Sequence, residues 1–234
     1  MTDMLQVALE YSRHDAAVLP LKENKEPLIR GGHDNATADE AQVRKYWAQH
    51  PKALIGRLVG EDANLIVLDI ESVEGHGVDG FAHLAQLEAD YGPIRETTTI
   101  KTATGGEHYY FTFPEELKGK KLKKYIADGV ELKSWGYVVT PGIVINGESY
   151  ELIKGDLFSY ADFPPQWVNL CIKTQPTSED WERVRPRGSG RLFVMSTASA
   201  CVTSSRCRKM PGRSTAVISS STQSTTRPDT ATCS

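Results

Sequence analysis

Little in this sequence offers a covalent or metal staple. It has four cysteines, Cys171, Cys201, Cys207 and Cys233, and none forms a Cys-x-x-Cys pair. Neither a zinc site nor a disulfide framework is expected from that spacing. No stretch approaches the ~20 consecutive apolar residues that span a membrane. The opening MTDMLQVALEYSRHD lacks the charged, apolar and small-residue regions of a signal peptide. The expectation is a cytoplasmic protein with no membrane contact. Charge of one sign is also missing. A formal net charge of -3 excludes nucleic-acid binding through a global field, so any such contact must use a local patch.

What is present reads as one sizeable domain, residues 1–187, followed by a tail, 188–234. From Ser196 onward Ser and Thr dominate, Asp229 is the only acid and apolar periodicity ends. Such a composition buries too little apolar surface to offset ordering entropy and predicts disorder. The abruptness of the change also fits a shifted reading frame.

Within the domain, Leu5, Ala8 and Leu9 repeat at helical spacing, and Val18-Leu-Pro-Leu21 is a short extended run. Residues 22–37 read as a loop. Thr37-Ala-Asp-Glu40 matches a capping box ahead of a helix through Val43, Tyr46 and Trp47. Leu54 to Val59 and Leu65 to Ile70 are apolar runs of strand length. A helix follows from about Asp79 to Tyr91, stopped by Gly92-Pro93. Strands are then expected at Thr97 to Thr102, His108 to Phe113, Val130 to Lys133, Tyr137 to Thr140, Ile143 to Ile145 and Tyr150 to Ile153. Asn146-Gly147 is a hairpin signal. A helix-strand half followed by a mostly antiparallel half predicts an α+β domain.

Three segments carry candidate chemistry. In Leu65-Ile-Val-Leu-Asp-Ile-Glu71, strand alternation sends Asp69 and Glu71 to one face at the end of an apolar run. Two neighbouring carboxylates repel and lose hydration together. A hard divalent cation, Mg²⁺ or Mn²⁺, relieves both costs, whereas a solvated or salt-bridged strand end is the bland alternative. In Thr102-Ala-Thr-Gly-Gly-Glu-His-Tyr-Tyr-Phe111, Gly105 and Gly106 allow close backbone approach to an anion, with His108 as a donor beside it. A plain Gly-Gly hairpin is the alternative. In Asp128-Gly-Val-Glu-Leu-Lys-Ser-Trp135, Glu131 points away from Val130 and Leu132, either to solvent or to a site completed with Asp69 and Glu71. The run Lys118-Gly-Lys-Lys-Leu-Lys-Lys-Tyr125 is the best local patch for nucleic-acid phosphates, through Lys118, Lys120, Lys121, Lys123 and Lys124. Its alternative is a solvated loop. Trp135 reads either as a core residue or as a base-stacking one.

In this order the segments resemble the N-terminal primase-polymerase domain of plasmid and prophage replication proteins, within the archaeo-eukaryotic primase superfamily. The resemblance runs from Leu5 to Leu152. It takes in Val18-Leu-Pro-Leu21, Lys25-Glu-Pro27, Asp34-Asn-Ala-Thr37, Trp47, Ile55-Gly56 and Gly60, then the Asp69–Glu71, Gly105–His108 and Gly129–Pro141 motifs. It implies an archaeo-eukaryotic primase-like core and template-dependent nucleotidyl transfer from nucleoside triphosphates by two divalent metals. Asp69, Glu71 and Glu131 would be the metal ligands. His108 would contact the nucleotide phosphates, Thr104, Gly105 and Gly106 would shape the phosphate-facing turn, and Lys25 would be a further phosphate contact. The partners implied are a DNA template, nucleoside triphosphates and a separate replicative helicase, because no Gly-x-x-x-x-Gly-Lys-[Ser/Thr] loop is present. The helical extension that commonly follows the core is replaced here by the Ser/Thr tail. Two other readings remain open at this point: a remnant that binds nucleotide or single-stranded DNA without extension, and a metal-dependent nuclease.

Overall fold

A computed structural model describes residues 3–145 and 147–173. The expected tail, 188–234, and three of the four cysteines lie outside the described residues. Cys171, the fourth, is a buried free thiol.

Helix α1, Met4–Arg13, is capped by Asp3, whose carboxylate accepts from the Leu5 N–H. Strand β1, Val18–Leu21, follows, and then helix α2, Glu40–Gln49. The cap of α2 differs from the expectation. Asp39 accepts from the Gln42 N–H at 2.7 Å, so Asp39 and Gln42 form the start signal rather than Thr37 and Glu40. Thr37 is held back by the sheet edge, exchanging backbone hydrogen bonds with Val18.

Strands β2, Leu54–Gly60, and β3, Leu65–Ile70, touch through a single pair, Gly60 opposite Leu65, and then diverge. A short helix α3, Val73–His76, and helix α4, Gly80–Tyr91, come next, with Asp79 capping α4 and Gly92 ending it. Beyond α4 run β4, Thr98–Lys101, β5, Glu107–Thr112, β6, Tyr125–Ala127, β7, Val130–Lys133, and β8, Trp135–Val139. The hairpin of β9, Val144–Ile145, and β10, Glu148–Ser149, turns at Gly147 with φ +87°. The described part ends with β11, Glu151–Lys154, β12, Ala161–Asp162, and helix α5, Val168–Cys171.

The fork between β2 and β3 is filled by one nearly continuous stretch of chain. β7 pairs with β3, and after Ser134 the chain continues as β8 against β2. β3 therefore lies between β5 and β7, antiparallel to both. All pairings are antiparallel except β12 with β5. This is an α+β arrangement of helices on a largely antiparallel sheet.

Strand alternation separates two cores. Leu65 and Val67 join Tyr110, Ile100, Leu9, Val43 and Trp47 on one face, under α1 and α2. Ile66, Leu68 and Ile70 join Phe111, Val130, Leu132, Leu84 and Trp167 on the other, under α4. The odd-numbered face of β3 is thus apolar until Asp69, where the core stops and polar chemistry begins. Among the described residues, no helix is long and apolar enough to cross a membrane.

Candidate active site

The sheet register brings together what the chain keeps apart. Asp69 on β3 lies directly opposite His108 on β5 and, on its other side, directly opposite Glu131 on β7. Opposed residues on adjacent strands project from the same face. One row across three strands therefore carries a carboxylate flanked by an imidazole and a second carboxylate. His108 and Glu131 are both buried, at 5% and 8% exposure. Glu131 points away from Val130 and Leu132, as alternation requires, yet it faces the row and not solvent.

Sequence reading missed the residue that ties this row together. Lys133 Nζ stands 2.9 Å from Glu131 Oε2 and 3.3 Å from Asp69 Oδ2. Its signal was available, because Lys133 is two residues beyond Glu131 on the same strand and so shares its face. Burial by itself would raise the Asp69 pKa, but His108, with Nε2 at 3.5 Å, and then Lys133 outweigh it and hold the carboxyl down at about 2. Burial works to lower the Lys133 pKa, and the two carboxylates reverse this and raise it.

Glu71 directly follows β3. Its backbone is clamped, with its N–H donating to Gly129 O and its carbonyl accepting from the Gly80 N–H. A Cβ on Gly80 would come within 2.3 Å of Gly129 O, so glycine is needed for this approach. Among the described residues, no three of His, Cys, Asp and Glu stand close enough to hold a metal ion. Lys133 is interposed between Asp69 and Glu131, and the Glu71 backbone is tied to the start of the β7 strand through Gly129. The donor set nevertheless fits a hard divalent cation. It consists of carboxylate oxygens, and an ammonium already occupies a cation position between two of them.

The Thr104-Gly105-Gly106 turn presses against the end of β3. Gly105 has φ +81°, and a Cβ on Gly106 would lie 2.3 Å from Ile70 O. Ser72, buried and also missed in the sequence, donates its hydroxyl to Thr104 O and accepts from the Gly75 N–H. It locks the turn to the segment that carries Glu71. His108 Nδ1 is buried and has no hydrogen-bond partner among the described residues. The His108 ring lies 6.0 Å from that of Tyr150, and Lys25 Nζ lies 5.6 Å over the other end of this small aromatic wall. Lys25 itself sits at φ +68°, its carbonyl accepting from the Tyr137 hydroxyl. The loop candidate thus reaches the site's edge.

The basic run is divided. Lys118 pairs with Glu115, and Lys124 reaches Glu131 at 3.7 Å while lying over Tyr125. Lys120, Lys121 and Lys123 make no ion pair among the described residues. β6 begins at the last residue of the run, Tyr125, and contains none of its lysines. Trp135 is not a core residue: it is 73% exposed.

Comparison with known proteins adds one match. No curated protein matches the chain. A family model described as "Bifunctional DNA primase/polymerase, N-terminal" matches residues 8–167, which covers every residue of the row, the turn, the lysine run and the Lys25 loop. With that match over more than half its length, the chain belongs to the Prim-Pol family, the N-terminal domains of bifunctional DNA primase/polymerases.

Proposed function

We propose that this chain carries out template-dependent nucleotidyl transfer from nucleoside triphosphates, on a primase-like core, with Asp69, Glu71 and Glu131 as ligands for two divalent cations. The observation that carries the reading is the register row His108–Asp69–Glu131, bridged by Lys133.

When bound, the cations would lower the pKa of the attacking 3′-hydroxyl and offset charge on the triphosphate and the departing pyrophosphate. The chain's own residues supply the rest. Asp69, its carboxyl held down at about 2, is ionised at neutral pH and would be available as a ligand. His108 fixes one edge of that carboxylate, so its lone pairs are oriented before a cation arrives. Lys133 offsets part of the charge of Asp69 and Glu131, and its ammonium would turn to triphosphate oxygens once cations compensate the acids. The Thr104-Gly105-Gly106 turn and Lys25 border the same face and suit a polyphosphate. Phosphoryl transfer needs positioning and charge stabilisation more than a nucleophilic side chain, and this site has the former without the latter.

The test is incubation of the full chain with primed and unprimed single-stranded templates, triphosphates and Mg²⁺ or Mn²⁺. Extension that disappears in Asp69→Ala is the expected result. Triphosphate binding without extension would identify a binding remnant, and template degradation a nuclease. Either outcome would sink the proposal.

A further inference from the structure

A cavity of about 750 Å³ opens where the chain leaves the acid row. Its walls include Trp135, His33, Lys120, Asp34, Glu61 and Asp62. The strand neighbour directly opposite Trp135 is Gly60, so no cross-strand side chain covers the indole. His33 meets the indole almost perpendicularly, at 4.0 Å between ring centres, with its Nε2 3.4 Å from Asp34 Oδ1. A large aromatic left open to solvent in a polar cavity is unusual and points to a flat ligand.

Of the chain segments that line this cavity, two run straight into the catalytic row. One is Ser134 and Trp135, which follow Lys133 directly. The other is the lysine run, which starts at the cavity with Lys120 and ends with Lys124 at Glu131. We infer that this cavity is the seat of a single-stranded DNA template, with a base stacked on Trp135 and the adjoining phosphates carried along Lys120, Lys121 and Lys123 toward the acids. The inference rests on the polymerase reading only in naming the strand a template.

The charges in the cavity decide how a strand would lie. Asp34, Glu61 and Asp62 repel phosphates, yet carboxylates accept hydrogen bonds from the exocyclic amino groups of bases. Bases therefore turn inward and phosphates stay on the lysine side. A duplex cannot do this, because its bases face each other and it would present phosphates to the three acids. Stacking on an aromatic is tolerant of base identity, as a template surface requires.

The test measures fluorescence anisotropy of labelled oligodeoxycytidylate, single-stranded or in duplex, with the full chain at low salt, without triphosphate or metal. Wild type should prefer the single strand. Trp135→Ala should weaken that binding by about five- to a hundredfold, the range for loss of one base stack. Trp135→Phe should retain most of it. Lys120→Ala with Lys121→Ala should flatten the salt dependence. Because Trp135 is exposed, its variants should keep the wild-type circular dichroism. Unaltered affinity in Trp135→Ala, equal binding of duplex, or absence of binding by wild type would overturn the inference. So would sedimentation showing a self-association that Trp135→Ala abolishes, since a second copy would then occupy the cavity. Trp135-dependent binding in a chain that never extends a primer keeps this inference and removes the polymerase reading; extension indifferent to Trp135 does the reverse.

Discussion

Replacing Lys133 by methionine removes the one cation placed between Asp69 and Glu131 while keeping most of the side chain's apolar bulk. The Asp69 carboxyl is held at about 2 against an ordinary value of 3.8. At 1.36 kcal/mol per pKa unit, ionised Asp69 contributes roughly 2 kcal/mol to folding at neutral pH. His108 supplies part of that and remains in the variant. Glu131, however, also loses its nearer partner, keeping only the exposed Lys124 at 3.7 Å, and faces Asp69 directly. Removing one partner of a fully buried pair costs about 3–5 kcal/mol, and exposed pairs contribute about 1 kcal/mol or less. Asp69 and Lys133 are 20% and 26% exposed, so the case is intermediate. Lys133→Met should therefore destabilise the metal-free protein by about 2 kcal/mol at pH 7. The sign of the pH dependence follows from the depressed pKa. The Asp69 contribution is complete above the unfolded value of 3.8 and is lost as pH falls towards 2, so the variant's deficit should shrink over that window. Urea unfolding followed by circular dichroism at pH 7 and at about pH 3 measures both. Mn²⁺ should stabilise Lys133→Met more than wild type, because the uncompensated acids bind it more tightly. Equal stability at pH 7, an equal deficit at both pH values, or a larger Mn²⁺ effect in wild type would refute the reasoning.

Other consequences can be measured directly. Asp69→Ala should lower primer extension by about a thousandfold in a gel assay, while leaving the far-ultraviolet circular dichroism unchanged. Gly106→Ala should cost about 1–3 kcal/mol in denaturant unfolding, because its Cβ would meet the immobile Ile70 carbonyl at 2.3 Å. Ser72→Ala leaves Thr104 O without its hydroxyl donor. It should cost about 1–2 kcal/mol and raise KM for triphosphate more than it lowers kcat in steady-state extension.

Much of the local structure was legible in the chain itself. Asp79 ahead of Phe81, Leu84 and Leu87, with Gly92-Pro93 behind, specified α4 because capping and helical periodicity are short-range. The apolar run Leu65–Ile70 specified a buried strand, and Asn146-Gly147 marked the β9–β10 hairpin, for the same reason. Local reading failed where two signals overlapped. Thr37 fitted a cap by pattern, but the sheet edge claimed its backbone and Asp39 took the role. β6 went unread because its three residues, Tyr125–Ala127, are too few to show alternation, and its pairing with β7 is set by the sheet.

The sequence by itself determined which residues were chemically able to form the candidate site: Asp69, Glu71, His108, Glu131 and the glycine turn, in order along the chain. Only the tertiary structure decided that Asp69 is opposite both His108 and Glu131, that Lys133 stands between the acids, and that Trp135 is left open above a cavity. The physical reason is register. A shift of one residue in β5 or β7 would keep every local preference satisfied and still turn His108 or Glu131 to the other face. What forbids that shift is the burial of Val130, Leu132, Phe111 and Tyr110 in two separate cores, which is a property of the whole sheet.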